Sequence, residues 1–156
     1  MERYDWERLT PLQVGKYAEY FAKMEFTLWG FDVFSAEVDE HGIDFVVRKH
    51  PGPHYDVQVK SARRYNYIFF QKDKFRLNDR LLAAIVLFRQ LQPPSLYLIP
   101  SNEWLAPNKL LATRDYEGKK SPPEWGINLS QENMPILERY SFDRFIASLP
   151  ADAGAA

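Results

Sequence analysis

His41–Lys60, HGIDFVVRKHPGPHYDVQVK, is the stretch whose reading decides the fold. Pro and Gly punctuate Lys49–Pro53, KHPGP, and predict a turn between two strands. An antiparallel hairpin centred on Pro51 sets Arg48 opposite His54 and Asp44 opposite Gln58. Strand side chains alternate with period two, so Ile43, Phe45 and Val47, opposite Val59, Val57 and Tyr55, share one face. Asp44, Gln58 and Lys60 share the other. The register thus gathers a carboxylate, an amide oxygen and an ammonium on one patch of sheet.

That patch has two readings. Asp at a strand start is a common turn residue, and Gln-x-Lys on a half-exposed strand is a common solvated face. Yet these strands bury one face with Ile, Phe and Val and keep the other polar beside them. The same three groups suit metal-assisted phosphodiester chemistry. It needs oxygen ligands for a hard cation and a fixed positive charge where charge develops on phosphate.

Upstream, Thr10 is a good N-cap and Pro11 suits the first helical position. They predict a helix from about Pro11 to Trp29, PLQVGKYAEYFAKMEFTLW. Leu12, Ala18, Ala22, Phe26 and Trp29 supply much of an apolar stripe, which Val14, Phe21 and Glu25 make imperfect. Gly15 costs about 1 kcal/mol relative to Ala in a helix interior. It therefore predicts close backbone approach, as of a helix packed on a sheet. Glu19 lies four residues later on the same face. It reads either as a third polar contributor to the patch or as a surface glutamate paired with Lys16 or Lys23.

Taken together, Gly-x3-Glu on a first helix, Gly-Ile-Asp at a strand start and Gln-Val-Lys on the next strand resemble the PD-(D/E)XK nuclease superfamily. With Gln in place of the second acid, the pattern looks like the Mrr-like restriction endonuclease and Holliday-junction-resolvase-like branch. The matching residues are Gly15, Glu19, Gly42, Ile43, Asp44, Gln58, Val59, Lys60 and Ser61, and Leu96–Trp104, LYLIPSNEW, adds a later similarity. The resemblance implies an α/β, restriction-endonuclease-like fold, a mixed β-sheet flanked by helices. It also implies a metal-dependent endonuclease-like domain that hydrolyses phosphodiester bonds in DNA. Glu19, Asp44, Gln58 and Lys60 would be catalytic. Mg²⁺ or Mn²⁺ would be held by Asp44, Gln58, the carbonyl of Val59, and Glu19. Lys60 would orient the attacking water or neutralise the phosphorane. Such a site keeps two carboxylates, which departs from the more common acidic pattern and should weaken metal affinity. Cutting two strands with one site per chain calls for two copies, which makes a homodimer one assembly to expect. Two other readings stand beside this one. One is a non-catalytic nucleic-acid- or protein-binding module that keeps the fold. The other is a structural protein whose acid–lysine cluster is only a salt-bridge network.

A length of 156 residues predicts a single domain over 1–150, with a frayed tail at 151–156. The chain has no cysteine, which excludes disulfides and thiolate metal sites. His41, His50 and His54 form no helical pair, which argues against zinc. No apolar run reaches the ~18 residues of a membrane span, and MERYDWERL is not a signal peptide. A cytoplasmic chain without membrane contact is expected.

Net charge is −1, which argues against a generic basic coat, but the distribution is uneven. Between Gln58 and Arg80 stand Lys60, Arg63, Arg64, Lys72, Lys74, Arg76 and Arg80, against Asp73 and Asp79. Tyr65, Tyr67, Phe69, Phe70 and Phe75 are interleaved. Cations contact phosphates and aromatic rings stack on unpaired bases, which makes Arg63, Arg64 and Lys72 candidate DNA contacts. A strand pair with a basic outer face and an aromatic core face fits the same pattern.

Elsewhere the pattern predicts strands at Phe31–Ala36, Tyr65–Phe70, Leu82–Phe88 and Leu96–Ile99 within one mixed sheet, with helix as the alternative for Leu82–Phe88. It also predicts a helical turn at Ser101–Leu105, loop over 106–124 and an edge strand at Trp125–Leu129. A short segment Ser130–Glu138, interrupted by Pro135, leads to a last helix, Ser141–Leu149, which Pro150 stops.

Overall fold

The computed structural model describes residues 1–38 and 41–149. Helix α1 (Pro11–Leu28) starts at the Thr10 cap. Gln13 N donates to Thr10 Oγ1 at 3.2 Å, and Thr10 N donates to Gln13 Oε1 at 2.9 Å. This reciprocal pair satisfies two amides that a helix start leaves open. The buried stripe of α1 is Val14, Ala18, Ala22 and Phe26, a strict four-residue row. Leu12 and Trp29, expected in that stripe, are exposed at 87 % and 44 %. The row through Ala18 and Ala22 runs back to Val14, which leaves Leu12 on the far side of the helix. Gly15 corrects a second expectation, because beyond its chain neighbours and the helix's own backbone nothing lies within 4 Å of where its Cβ would stand. Close packing is made instead by the fully buried Ala18 and Ala22.

The strands are β1 (Asp32–Phe34), β2 (Phe45–Arg48), β3 (His54–Ala62), β4 (Tyr67–Gln71), β5 (Leu81–Leu87), β6 (Ser95–Pro100), β7 (Leu111–Arg114) and β8 (Glu124–Asn128). Five of them form a sheet in the order β1-β2-β3-β5-β6, in which β3 and β5 are parallel and all other neighbours antiparallel. The hairpin has the expected register: Phe45 faces Val57, Val46 faces Asp56, Val47 faces Tyr55 and Arg48 faces His54.

The expected mixed sheet with flanking helices is present, but not every later strand joins it. Helices α1 and α3 (Phe142–Ser148) cover one face of the five-stranded sheet. The other face is covered by a second, antiparallel sheet of order β4-β8-β7. After β3 the chain turns through Arg63–Asn66, and β4 pairs with β8 instead of extending the first sheet. β8, expected at an edge, is therefore central. Its other neighbour is β7, four residues within a stretch expected as loop. Only Leu111 of β7 is buried, so no alternation announces it.

The two faces have separate cores. Phe45, Val47, Val57, Ala84 and Val86 pack under α1 and α3. Ala83, Ile85 and Ile99 pack against Phe70, Phe75, Trp104 and Ile127 from the second sheet and its connections. β5 is buried at every position, as a central strand covered on both faces should be. The helical turn at Ser101–Leu105 is present as 3₁₀ helix, and the Ser130–Glu138 segment contains α2 (Met134–Leu137). Pro150 and the tail 151–156 lie outside the described residues.

Gly126 of β8 lies beneath Tyr67, and a Cβ there would overlap the tyrosine ring. Gly126→Ala is expected to cost about 2 kcal/mol through overpacking, read as a lower urea midpoint at unchanged m-value.

Candidate active site

Gln58 and Lys60 alternate with Val57 and Val59 along β3, so they look away from the helices and toward the second sheet. Asp44 precedes β2 by one residue. Val59 N donates to Asp44 Oδ2 at 2.6 Å, and Asp44 N donates to Val57 O at 2.9 Å. The carboxylate is thereby pinned to the main chain of β3 beside Gln58 and Lys60. Asp44, Gln58 and Lys60 are all half-buried.

Gly42 sets the approach to Asp44. Its φ of +77° is a conformation that favours glycine, and a Cβ there would stand 3.4 Å from Lys74 O and 3.7 Å from Gln58 Nε2. Regular alternation begins only after this turn. Ile43, expected with Phe45 and Val47, accordingly packs against the second core instead.

Glu19 lies on α1. Its carboxylate is ion-paired with Lys16 at 3.3 Å and half-buried, whereas Lys23 donates to Ser35 Oγ. Glu19 raises the pKa of Lys16, chiefly by hydrogen bonding, and Asp44 adds a smaller push in the same direction. Lys16 thus lies within electrostatic reach of Asp44. Burial lowers the pKa of Lys60, and the nearby Asp44 carboxylate opposes that shift. The Lys60 ammonium lies 5.5 Å from the centre of the Phe70 ring, which shields one side of it.

The amide oxygen of Gln58 is buried and has no hydrogen-bond partner. A buried acceptor left in this state carries a desolvation cost and asks for an explanation. Among the described residues no three His, Cys, Asp or Glu side chains cluster as a metal site. A cation here would depend on Asp44, Gln58 Oε1, Glu19 and the carbonyl of Val59, whose own side chain is partly buried against the helix-side core. This all-oxygen donor set fits a hard divalent ion such as Mg²⁺ or Mn²⁺, to which the unpartnered amide oxygen of Gln58 would be one donor.

A cleft of about 450 Å³ opens along the same face of β3, lined by His41, Asp56, Lys74 and Arg76 among others. The basic run contained Lys74 and Arg76. Their place in this cleft, which Asp44, Gln58 and Lys60 do not line, depends on the turn after β4, closed by Lys74 N donating to Gln71 O at 3.0 Å. That turn carries no signal in the run itself.

The three candidate DNA contacts all have partners within the chain. Arg63 Nη1 donates to Trp6 O at 3.0 Å and Leu9 O at 2.8 Å, tying the N-terminal turn to the end of β3. Arg64 is exposed and pairs with Glu7 at 3.3 Å. Lys72 is held by Thr113 Oγ1 at 2.6 Å and Asp115 Oδ1 at 2.7 Å, 3.8 Å from the centre of the Trp125 ring. Of the interleaved aromatics, Phe70 and Phe75 are core, whereas Tyr65 and Phe69 are about half exposed. The aromatic core face of the second reading is thus present in Phe70 and Phe75.

No family model matches the sequence, and no curated protein matches it. Among solved structures the chain is similar to Hjc, a Holliday junction resolvase from the archaeal hyperthermophile Archaeoglobus fulgidus. Identity is 12 %, the TM-score is 0.53, and the match covers 88 % of this chain and 98 % of that one. A bacterial homing endonuclease is matched at 16 % identity and TM-score 0.45, covering 84 % of this chain and 94 % of that one. The first likeness is one of fold: this chain has a nuclease-like α/β fold.

Arg63 and Arg64 should separate by stability. Charged hydrogen bonds contribute roughly 1.5–3 kcal/mol each, so Arg63→Ala is expected to lower unfolding free energy by about 2 kcal/mol. Arg64→Ala, at an exposed ion pair, should change it by less than about 0.5 kcal/mol. Urea denaturation of the two variants checks the contrast.

Proposed function

We propose that this chain is a metal-dependent endonuclease-like domain that hydrolyses phosphodiester bonds in DNA, with Glu19, Asp44, Gln58 and Lys60 as its working residues. The observation that carries the reading is the buried, unpartnered amide oxygen of Gln58, set beside a carboxylate pinned in place and a half-buried lysine. A nuclease-like fold supports it.

A bound Mg²⁺ or Mn²⁺ supplies Lewis acidity at a phosphate oxygen and lowers the pKa of the water it holds. Asp44, Gln58, the Val59 carbonyl and Glu19 are the groups that would hold it. The hydrogen bond from Val59 N fixes Asp44 Oδ2, so the carboxylate is oriented before any ligand arrives. Glu19 exchanges Lys16 for the site at little cost, because an ion pair with so exposed a lysine is weak. Lys60 directs its ammonium at the phosphate or the attacking water. Shielded by Phe70, its field is screened less than at an open surface. Cleavage of both strands would take two copies of the chain, one site on each.

The test compares wild type with Asp44→Asn and Lys60→Met on linear, circular, single-stranded and branched DNA in Mg²⁺ or Mn²⁺. Each variant is expected to lose at least ~10²-fold in cleavage rate, about 3 kcal/mol, while keeping most of its DNA affinity. Wild type that cleaves no DNA, or Lys60→Met that cleaves as fast, contradicts the proposal.

Lys60 also makes a stability prediction. Its folded pKa lies below the ordinary lysine value, so between the two the unfolded chain binds more protons and stability rises with pH. At pH 7 the buried ammonium is a net cost. Lys60→Met is therefore expected to raise the urea midpoint there while removing activity, and a lowered midpoint would refute the burial argument.

A further inference from the structure

Gly15 stands inside α1, where it weakens the helix, and it touches nothing within 4 Å of its absent Cβ. Packing does not explain it, because Ala18 and Ala22 make the close contact with the sheet. Backbone freedom does not explain it either, since the positive-φ glycines are Gly30, Gly42 and Gly118. What remains is the open space itself. Residues four apart stack along one flank of a helix, so Pro11, Gly15 and Glu19 form a single row. Pro11 lines a cleft of about 330 Å³ between the start of α1 and Ser61–Arg64 at the end of β3. Glu19 is ion-paired with Lys16, which lies within electrostatic reach of Asp44 in the candidate active site. Gly15 is the gap in the row between that cleft and the site.

We propose that this notch seats the sugar-phosphate backbone of duplex DNA next to the scissile phosphate, the bare Cα of Gly15 admitting the chain against the helix flank. Two cations serve the notch. The side chains of Lys16 and Arg64 are 59 % and 78 % exposed; Lys16 pairs with Glu19 and lies 5.6 Å from the centre of the Tyr20 ring, and Arg64 pairs with the exposed carboxylate of Glu7. Such pairs are weak, and phosphate oxygens displace them readily. The inference rests on Asp44–Lys60 being the cleavage site, and it adds the path by which the strand reaches it.

The test uses the full chain with Gly15→Ala and Gly15→Leu. Three quantities are measured: the urea midpoint, affinity for labelled duplex DNA by fluorescence anisotropy in Ca²⁺, and cleavage in Mg²⁺ and Mn²⁺. Both variants are expected to unfold at higher urea than wild type, because better helix formers enter open space. Gly15→Leu is expected to bind DNA at least tenfold more weakly, with Gly15→Ala between it and wild type. A Gly15→Leu chain that is stabilised and binds as tightly as wild type overturns the inference. A lowered midpoint for Gly15→Ala overturns it too, by revealing a packing role, and so does wild type that binds no duplex. Wild type that binds duplex but never cleaves it overturns the cleavage site alone, and the affinity series still decides the notch.

Discussion

The register of the β2–β3 hairpin is the constraint on which the rest depends. Phe45 and Val47 on one strand and Val57 on the other are all buried to 1 % or less on the helix-facing side. A slip by one residue would drive Asp56 and Gln58 into that core and expel the valines. The burial of three apolar side chains thus holds three polar ones on the opposite face. Asp44 lies just beyond the paired segment, and the hydrogen bond from Val59 N at 2.6 Å carries the register one step further. At the other end Arg48 Nε donates to Gly52 O at 2.8 Å, which clamps the turn. The candidate site inherits its geometry from packing on the face it does not occupy.

The second sheet follows from the parallel pairing of β3 with β5. A parallel pair requires a crossover, and in α/β folds a helix usually supplies it. Here residues 63–80 cross with β4 and a turn, and β4 finds its partner in β8. This crossover places Phe70 near Lys60 and Lys74 near Gly42 and Gln58. It therefore closes the second core and walls the polar patch with the same few residues. Trp104, whose indole Nε1 donates to Gly126 O at 2.9 Å, ties the far side of that layer to β8.

Legibility from sequence tracks the range of the interactions. The hairpin register and the start of α1 rest on contacts between residues close in sequence, and both read correctly from alternation and capping. Leu12 and Val14 compete for the same stripe, and the choice is made by a sheet that lies far away in sequence. β7 and the central position of β8 exist only as partners of each other and of β4, so no local pattern marks them. Arg63 looks like a phosphate contact in a basic run, yet two carbonyls more than fifty residues away claim its guanidinium. The solitary amide oxygen of Gln58 is a property of everything that fails to surround it, which a sequence pattern does not encode.

Electrostatics separate a poised cluster from a structural one. In a salt-bridge network the acid and the lysine satisfy each other at contact distance. Surface ion pairs of this chain include Arg8–Asp5, Lys16–Glu19, Arg64–Glu7, Lys72–Asp115 and Lys109–Glu132. Among the described residues Lys60 forms no ion pair, although Asp44 is close enough to influence its charge. Asp44 is held by main-chain hydrogen bonds, and Gln58 Oε1 accepts none. Lys60 and Gln58 Oε1 thus carry costs of burial that their neighbours do not cancel: a lysine disfavoured as an ammonium and an acceptor without a donor. Such costs persist in a fold where the surrounding core outweighs them, and they gather where a ligand would relieve them. A divalent cation on the oxygens and a phosphate on the lysine would relieve both, and this is the relief that the proposed function assigns to them.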